Sequence, residues 1–129
     1  VVYSGEIISS AHNQCEGGHS ALLHAEMEAL RMACEVRHSW RLHGCTLYVT
    51  LEPCPMCAGA IINSHIDRVV FGAKDSSAGA FGSVINLTSY PVGFKPKLTA
   101  GVLKDECAGM LQHFFSELRN KKKKAETND

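Results

Sequence analysis

Between Thr46 and Asn63 the chain must change from one kind of secondary structure to another at a fixed place. Thr46–Leu51 alternates and is rich in β-branched and aromatic residues, which predicts a buried strand. Pro53 stops it. Pro55 falls where a helix tolerates proline, in the first turn, and Met56–Asn63 continues as a helix. Cys54 and Cys57 then lie about 60° apart around the helix axis, with both sulfurs facing one way. Free backbone N–H groups and the helix dipole favour thiolate over thiol there. Such a pair is either a redox couple or half of a metal site. The prolines around Cys54 and the lack of a thioredoxin-like aromatic before it favour the metal.

A second stretch, His24-Ala25-Glu26, precedes the apolar series Leu23, Met27, Leu30 and Cys34, which recurs at helical spacing. Positions i and i+2 inside a helix point about 200° apart, so His24 and Glu26 share a target only if the triplet straddles the helix start. Taken singly, His24 reads as a cap or surface residue and Glu26 as a carboxylate complementing the dipole. With Cys54 and Cys57 they become one imidazole, two thiolates and a spare carboxylate. That set can hold one Zn²⁺ by three ligands, leave the fourth position to water, and keep a proton acceptor beside it.

Around these stretches, Val1–Tyr3 and Glu6–Ser10 flank Ser4-Gly5 as a hairpin, followed by a polar loop through Asn13 and Gly17-Gly18. Arg68–Phe71 reads as a strand and Gly72–Gly82 as a Gly/Ser/Ala loop. A short helix is expected near Ser83–Leu87 and a strand over Leu98–Val102. A long helix from about Lys104 carries the apolar stripe Leu103, Cys107, Met110, Leu111, Phe114 and Leu118. Strands alternating with helices predict an α/β layered domain. At 129 residues the chain makes one domain (residues 1–129). It opens on Val in strand-like sequence, which suggests that an N-terminal segment is absent from this numbering.

Six cysteines raise the question of disulfides, but four are scattered and the only tight pair has metal-ligand spacing. A reducing, cytoplasmic compartment is the better reading. No apolar run approaches a membrane span. Thirteen basic and thirteen acidic residues cancel, so overall charge gives no hint of a nucleic-acid partner.

His-x-Glu followed by Pro-Cys-x-x-Cys resembles the signature of the zinc-dependent nucleobase deaminases. Thr46-Leu47-Tyr48-Val49-Thr50-Leu51-Glu52, Cys57-Ala58-Gly59-Ala60, Val69-Val70-Phe71-Gly72-Ala73, Gly79-Ala80-Phe81-Gly82-Ser83 and Phe114-Phe115 are similar to the tRNA-specific adenosine deaminase branch of that family. The resemblance implies a three-layer α/β/α sandwich with a central mixed sheet of about five strands. It implies one Zn²⁺ per subunit on His24, Cys54 and Cys57, with Glu26 as the catalytic proton shuttle. It also implies a homodimer that converts the wobble adenosine of a tRNA anticodon stem-loop to inosine.

By the same resemblance Asn13 presents an amide to the flipped base and Asp75 contacts ribose beside it; from local sequence both read as turn formers. Phe114 and Phe115 are expected to divide between core and RNA-facing surface. Lys121–Lys124 reads as a solvated tail or, with Arg119, as a set of phosphate contacts. Leu22-Leu23 ahead of His24 is bulkier than is usual in that branch. Two other readings stand beside this one: a free nucleobase deaminase of guanine or cytosine type, and a non-catalytic zinc module, which would need a fourth protein ligand such as His12, His19 or Cys15.

Overall fold

The hairpin forms around Ser4-Gly5. Both residues have positive φ, 50° at Ser4 and 79° at Gly5, the left-handed pair that matches a two-residue turn to the twist of its strands. It joins β1 (Val2–Tyr3) to β2 (Glu6–Ile7). The computed structural model describes residues 1–127. It continues through α1 (Cys15–Gly18), α2 (Ala25–Arg37), β3 (Cys45–Leu51), α3 (Pro55–Asn63), β4 (Arg68–Ala73), β5 (Lys97–Ala100) and α4 (Lys104–Thr127).

The strands make one mixed sheet ordered β2-β1-β3-β4-β5. β1 runs antiparallel to both β2 and β3, whereas β3, β4 and β5 are parallel. Parallel neighbours require crossovers over a sheet face. α3 supplies the one between β3 and β4, so it starts at the C-terminal edge of the sheet, where Cys54 lies.

Leu47, Val69 and Phe71 point to one face and pack with Ala29, Leu30 and Ala33 of α2 and with Ala58 and Ile61 of α3. α4 covers part of the other face. It comes close at Gly72, where an added Cβ would stand 2.8 Å from the Cys107 Cβ. Helices on both faces of a five-stranded mixed sheet complete the expected α/β/α sandwich.

Several local expectations need correction. The polar loop after the hairpin contains the short helix α1. The expected short helix is displaced: residues 83–86 are not helical, Phe81 and Asn86 form a bridge, and a 3-10 turn occupies Leu87–Ser89. Asn86 Oδ1 accepts from the Thr88 amide at 3.0 Å and so delays the helical start. β5 ends at Ala100 because Gly101 and Leu103 take positive φ, 83° and 51°.

β3 is buried on one face only, since Tyr48 is 56% exposed. The α4 stripe is correspondingly half covered, with Met110 and Phe114 open to solvent. Both Phe114 and Phe115 are exposed, edge to face at 5.5 Å, so neither joins the core. Lys121–Lys124 belongs to α4 rather than to a tail; positions 128 and 129 lie outside the described residues. All six cysteines are free thiols. No helix among the described residues is long and apolar enough to cross a membrane.

Candidate metal centre

The local chain conformation resolves the His24–Glu26 problem. His24 is the N-cap of α2 with extended backbone angles, φ −67° and ψ 150°, and Glu26 is already in the helix. The imidazole and the carboxylate can therefore converge. Cys54 is likewise the extended N-cap of α3, φ −74° and ψ 173°, and Cys57 stands three residues further in. Neither N-cap side chain bonds back to its own helix. Two helix N-termini thus meet at one point, each with its positive dipole end directed there.

The ligand atoms have a geometry that can be tested. His24 Nδ1 lies 3.6 Å from Cys54 Sγ and 3.5 Å from Cys57 Sγ. The three atoms all fall within 4.8 Å of one another. Zinc–nitrogen bonds of about 2.0–2.1 Å and zinc–sulfur bonds of about 2.3 Å, at tetrahedral angles, separate N and S by about 3.6 Å. The donor set fits zinc. Among the described residues this is the only cluster of three such ligands, and neither His12, His19 nor Cys15 joins it. A zinc held by these three would find no fourth protein ligand among the described residues.

Burial pushes the Cys57 thiol well above its ordinary range, and the Glu26 carboxylate and the Cys54 sulfur beside it push it further. A dication at the centre of the triad reverses this, because a coordinating thiol is deprotonated outright.

Asn13 and Asp75 are placed differently. Asn13 is exposed, and its Oδ1 accepts from the Cys15 amide at 3.0 Å. The next residue, Gln14, donates its amide to the Leu23 carbonyl at 2.9 Å. That bond draws the Asn13 segment alongside His24. Leu23 packs directly over Gly18, so that a Cβ there would require the end of the Leu23 side chain to move, while Leu22 is 62% exposed. Asp75 Oδ1 accepts from the Ser77 hydroxyl at 2.8 Å and from the Ser77 and Ala78 amides at 3.0 and 3.2 Å. Burial alone would raise this carboxyl, but those hydrogen bonds hold it below its ordinary value. Both residues act as turn formers here. Neither hydrogen-bonds to the metal ligands or to Glu26 among the described residues.

Sequence reasoning overlooked Glu52, which matched the family stretch but received no role. It is 2% exposed, and its carboxylate sits inside the 74–83 loop. The available signal was an acidic residue closing a strand directly ahead of Pro53-Cys54.

These features define a zinc-dependent deaminase centre. Residues 1–73 match the family model for the cytidine and deoxycytidylate deaminase zinc-binding region, and the chain belongs to that family. Within it, the tRNA-specific adenosine deaminase of Bacillus subtilis (strain 168) is 49% identical over 129 residues, 99% of this chain and 80% of the relative. A solved structure from work on A-to-I editing by tRNA:A34 deaminases at the wobble position has a TM-score of 0.81 at 38% identity. It covers 84% of this chain and 79% of its own. The X-ray structure of guanine deaminase from Bacillus subtilis gives a TM-score of 0.58 at 27% identity, over 92% of this chain and 76% of its own.

Proposed function

We propose that this chain hydrolyses the wobble adenosine of a tRNA anticodon loop to inosine, releasing ammonia. The 49% identity to a tRNA-specific adenosine deaminase across 99% of the chain carries the choice of substrate. The three-ligand centre carries the chemistry. The fold similarity favours the same branch, with a TM-score of 0.81 to the tRNA:A34 deaminase structure against 0.58 to guanine deaminase. The free-base reading is therefore the weaker one. The non-catalytic module loses support because no fourth protein ligand stands at the centre among the described residues.

Zinc, when bound, supplies a water whose pKa is lowered to about 7. His24 Nδ1 and the sulfurs of Cys54 and Cys57 would hold the cation, and the two thiolates would cancel its charge. Glu26 takes the proton of the attacking water on its carboxylate and delivers it to the ring nitrogen beside the amine-bearing carbon. As the C–N bond breaks and the added hydroxyl becomes the carbonyl, the same carboxylate takes that hydroxyl's remaining proton and passes it to the amine, which leaves as ammonia. A carboxylate that both accepts and donates in this way contributes typically 10²- to 10⁴-fold. An anticodon loop presents an unpaired base, so extruding it costs less than from a duplex.

Asn13, held beside His24 by the Gln14–Leu23 bond, offers its amide N–H groups to the base. Asp75 offers its second carboxylate oxygen to the neighbouring ribose. The protein works in the cytoplasm as a homodimer with one zinc per subunit. Incubating the zinc-loaded protein with an adenosine-containing anticodon stem-loop, free adenosine and free guanine tests the reading. Inosine from the stem-loop alone is expected. Turnover of a free base or nucleoside with none of the RNA contradicts it.

A further inference from the structure

Glu52 is a buried carboxylate that the chemistry above does not use. Its Oε1 accepts from the Asp75 amide at 3.2 Å and from the Ser83 hydroxyl. Its Oε2 accepts from the Phe81 and Ser83 amides at 3.0 and 3.1 Å. Four donors from one loop thus converge on one side chain. The loop is wrapped around it so closely that a Cβ on Gly79 would stand 2.5 Å from the Glu52 carboxyl carbon. Burying an ionised carboxylate is costly unless its acceptors are filled, and these four donors fill them. In return, three backbone N–H groups gain a partner, among them the buried amide of Phe81.

The position of this residue matters as much as its bonds. Its own amide donates to Ala73 at 2.9 Å and so extends the β3–β4 ladder. The carbonyl of Pro53, the next residue, accepts from Ala80 at 2.9 Å. Cys54 follows immediately. One end of the Glu52 connection is therefore a metal ligand, and the other is the backbone of Asp75. The Asp75 side chain is occupied at Oδ1 by Ser77 and Ala78 within its own turn. Alongside the backbone bonds to Ala73 and Ala80, the Glu52 carboxylate is the side-chain link between that turn and the segment leading into Cys54.

We infer that Glu52 is a positioning residue: it sets the distance between the Asp75 turn and the metal ligand Cys54, and thereby the fit of the RNA beside the target base. This rests on the substrate reading given for Asp75. Glu52→Gln is the sharpest probe, because it keeps shape while turning one acceptor into an NH₂ group that faces donors. Leaving such donors unsatisfied corresponds to about a tenfold effect or more.

The test uses the full zinc-loaded chain and an anticodon stem-loop. Glu52→Gln is expected to retain zinc and to raise KM about tenfold, with a much smaller change in kcat. Asp75→Ala should raise KM by itself, and Glu52→Gln should add nothing on that background, which is the coupling expected of groups acting through one another. Amide exchange should speed up at Phe81 and Ser83 while α2 and α3 keep their protection.

An unchanged KM in Glu52→Gln, or effects that simply multiply in the double variant, overturns the inference. If Glu52→Gln does not fold, Ser83→Ala removes part of the donor set and should shift KM and exchange in the same direction. Absence of inosine from the wild-type protein would instead strike the substrate reading. The exchange comparison would then decide the loop connection by itself, and unchanged protection at Phe81 and Ser83 would end it.

Discussion

His24 Nδ1 stands 3.5 Å from the sulfur of Cys57, a residue 33 positions away in sequence. The two side chains meet because α2 and α3 start at the same edge of the sheet. Removing either one leaves two protein ligands, too few for a stable zinc site. Cys57→Ala and His24→Ala should each lower bound zinc from about one per chain to near zero, measured by elemental analysis after desalting. Because binding free energy of this kind adds to folding free energy, wild-type protein should also melt lower after chelation. Retention of stoichiometric zinc in Cys57→Ala would place the metal elsewhere.

Acid should weaken the protein through the 74–83 loop. Burial by itself would raise the Glu52 carboxyl, yet the Ser83 hydroxyl and the amides of Ser83, Asp75 and Phe81 outweigh it and hold it below its ordinary range. A carboxyl with a depressed folded-state pKa contributes stability that is complete above the unfolded value of about 4.3. That contribution drains away as pH falls through the lower folded value. Asp75, also depressed, adds in the same sense. Denaturant midpoints taken from about pH 6 to pH 3 should fall more steeply for wild type than for Glu52→Gln. Parallel curves would show that Glu52 has no such linkage.

Two glycines should respond in opposite directions. Alanine at Gly72 would force α4 away from β4, since its Cβ would meet the Cys107 side chain and lie 3.0 Å from the Val102 carbonyl. Overpacking of this kind costs about 1–3 kcal/mol. Gly109, inside α4, has nothing within 4 Å of an added Cβ, so Gly109→Ala should stabilise by roughly 0.5–1 kcal/mol. Thermal melts of the two zinc-loaded variants would show the contrast.

Lys121–Lys124 continues α4 as one exposed, basic helical turn. If these groups meet phosphates, replacing the four lysines by alanine should weaken stem-loop binding. It should also flatten the plot of log affinity against log salt by about 0.7 for each phosphate no longer neutralised. An identical salt slope would assign the turn to solvation alone.

Much of the catalytic core was readable because it depends on short-range rules. Ser4-Gly5 announced a hairpin through its left-handed preference. Pro55 and the cysteine spacing fixed the start of α3, and the i, i+2 separation from Glu26 required His24 to lie at a helix boundary, where it does. The remainder depends on tertiary partners. Tyr48 has the pattern of a buried strand residue, but α4 covers only part of its sheet face, so it stays exposed. Glu52 looked like an ordinary acidic residue because its four donors lie 23 to 31 positions downstream. Asn13 and Asp75 were legible as turn formers, which is how the structure uses them.

The proposed chemistry turns on Glu26 as the group that moves protons beside a three-ligand zinc. The most direct measurement is the inosine yield per bound zinc for wild type and Glu26→Gln on the same anticodon stem-loop. Full zinc content in both, with a rate loss of about 10²- to 10⁴-fold in the variant, is the predicted result. A zinc-replete Glu26→Gln protein that deaminates at the wild-type rate would contradict it.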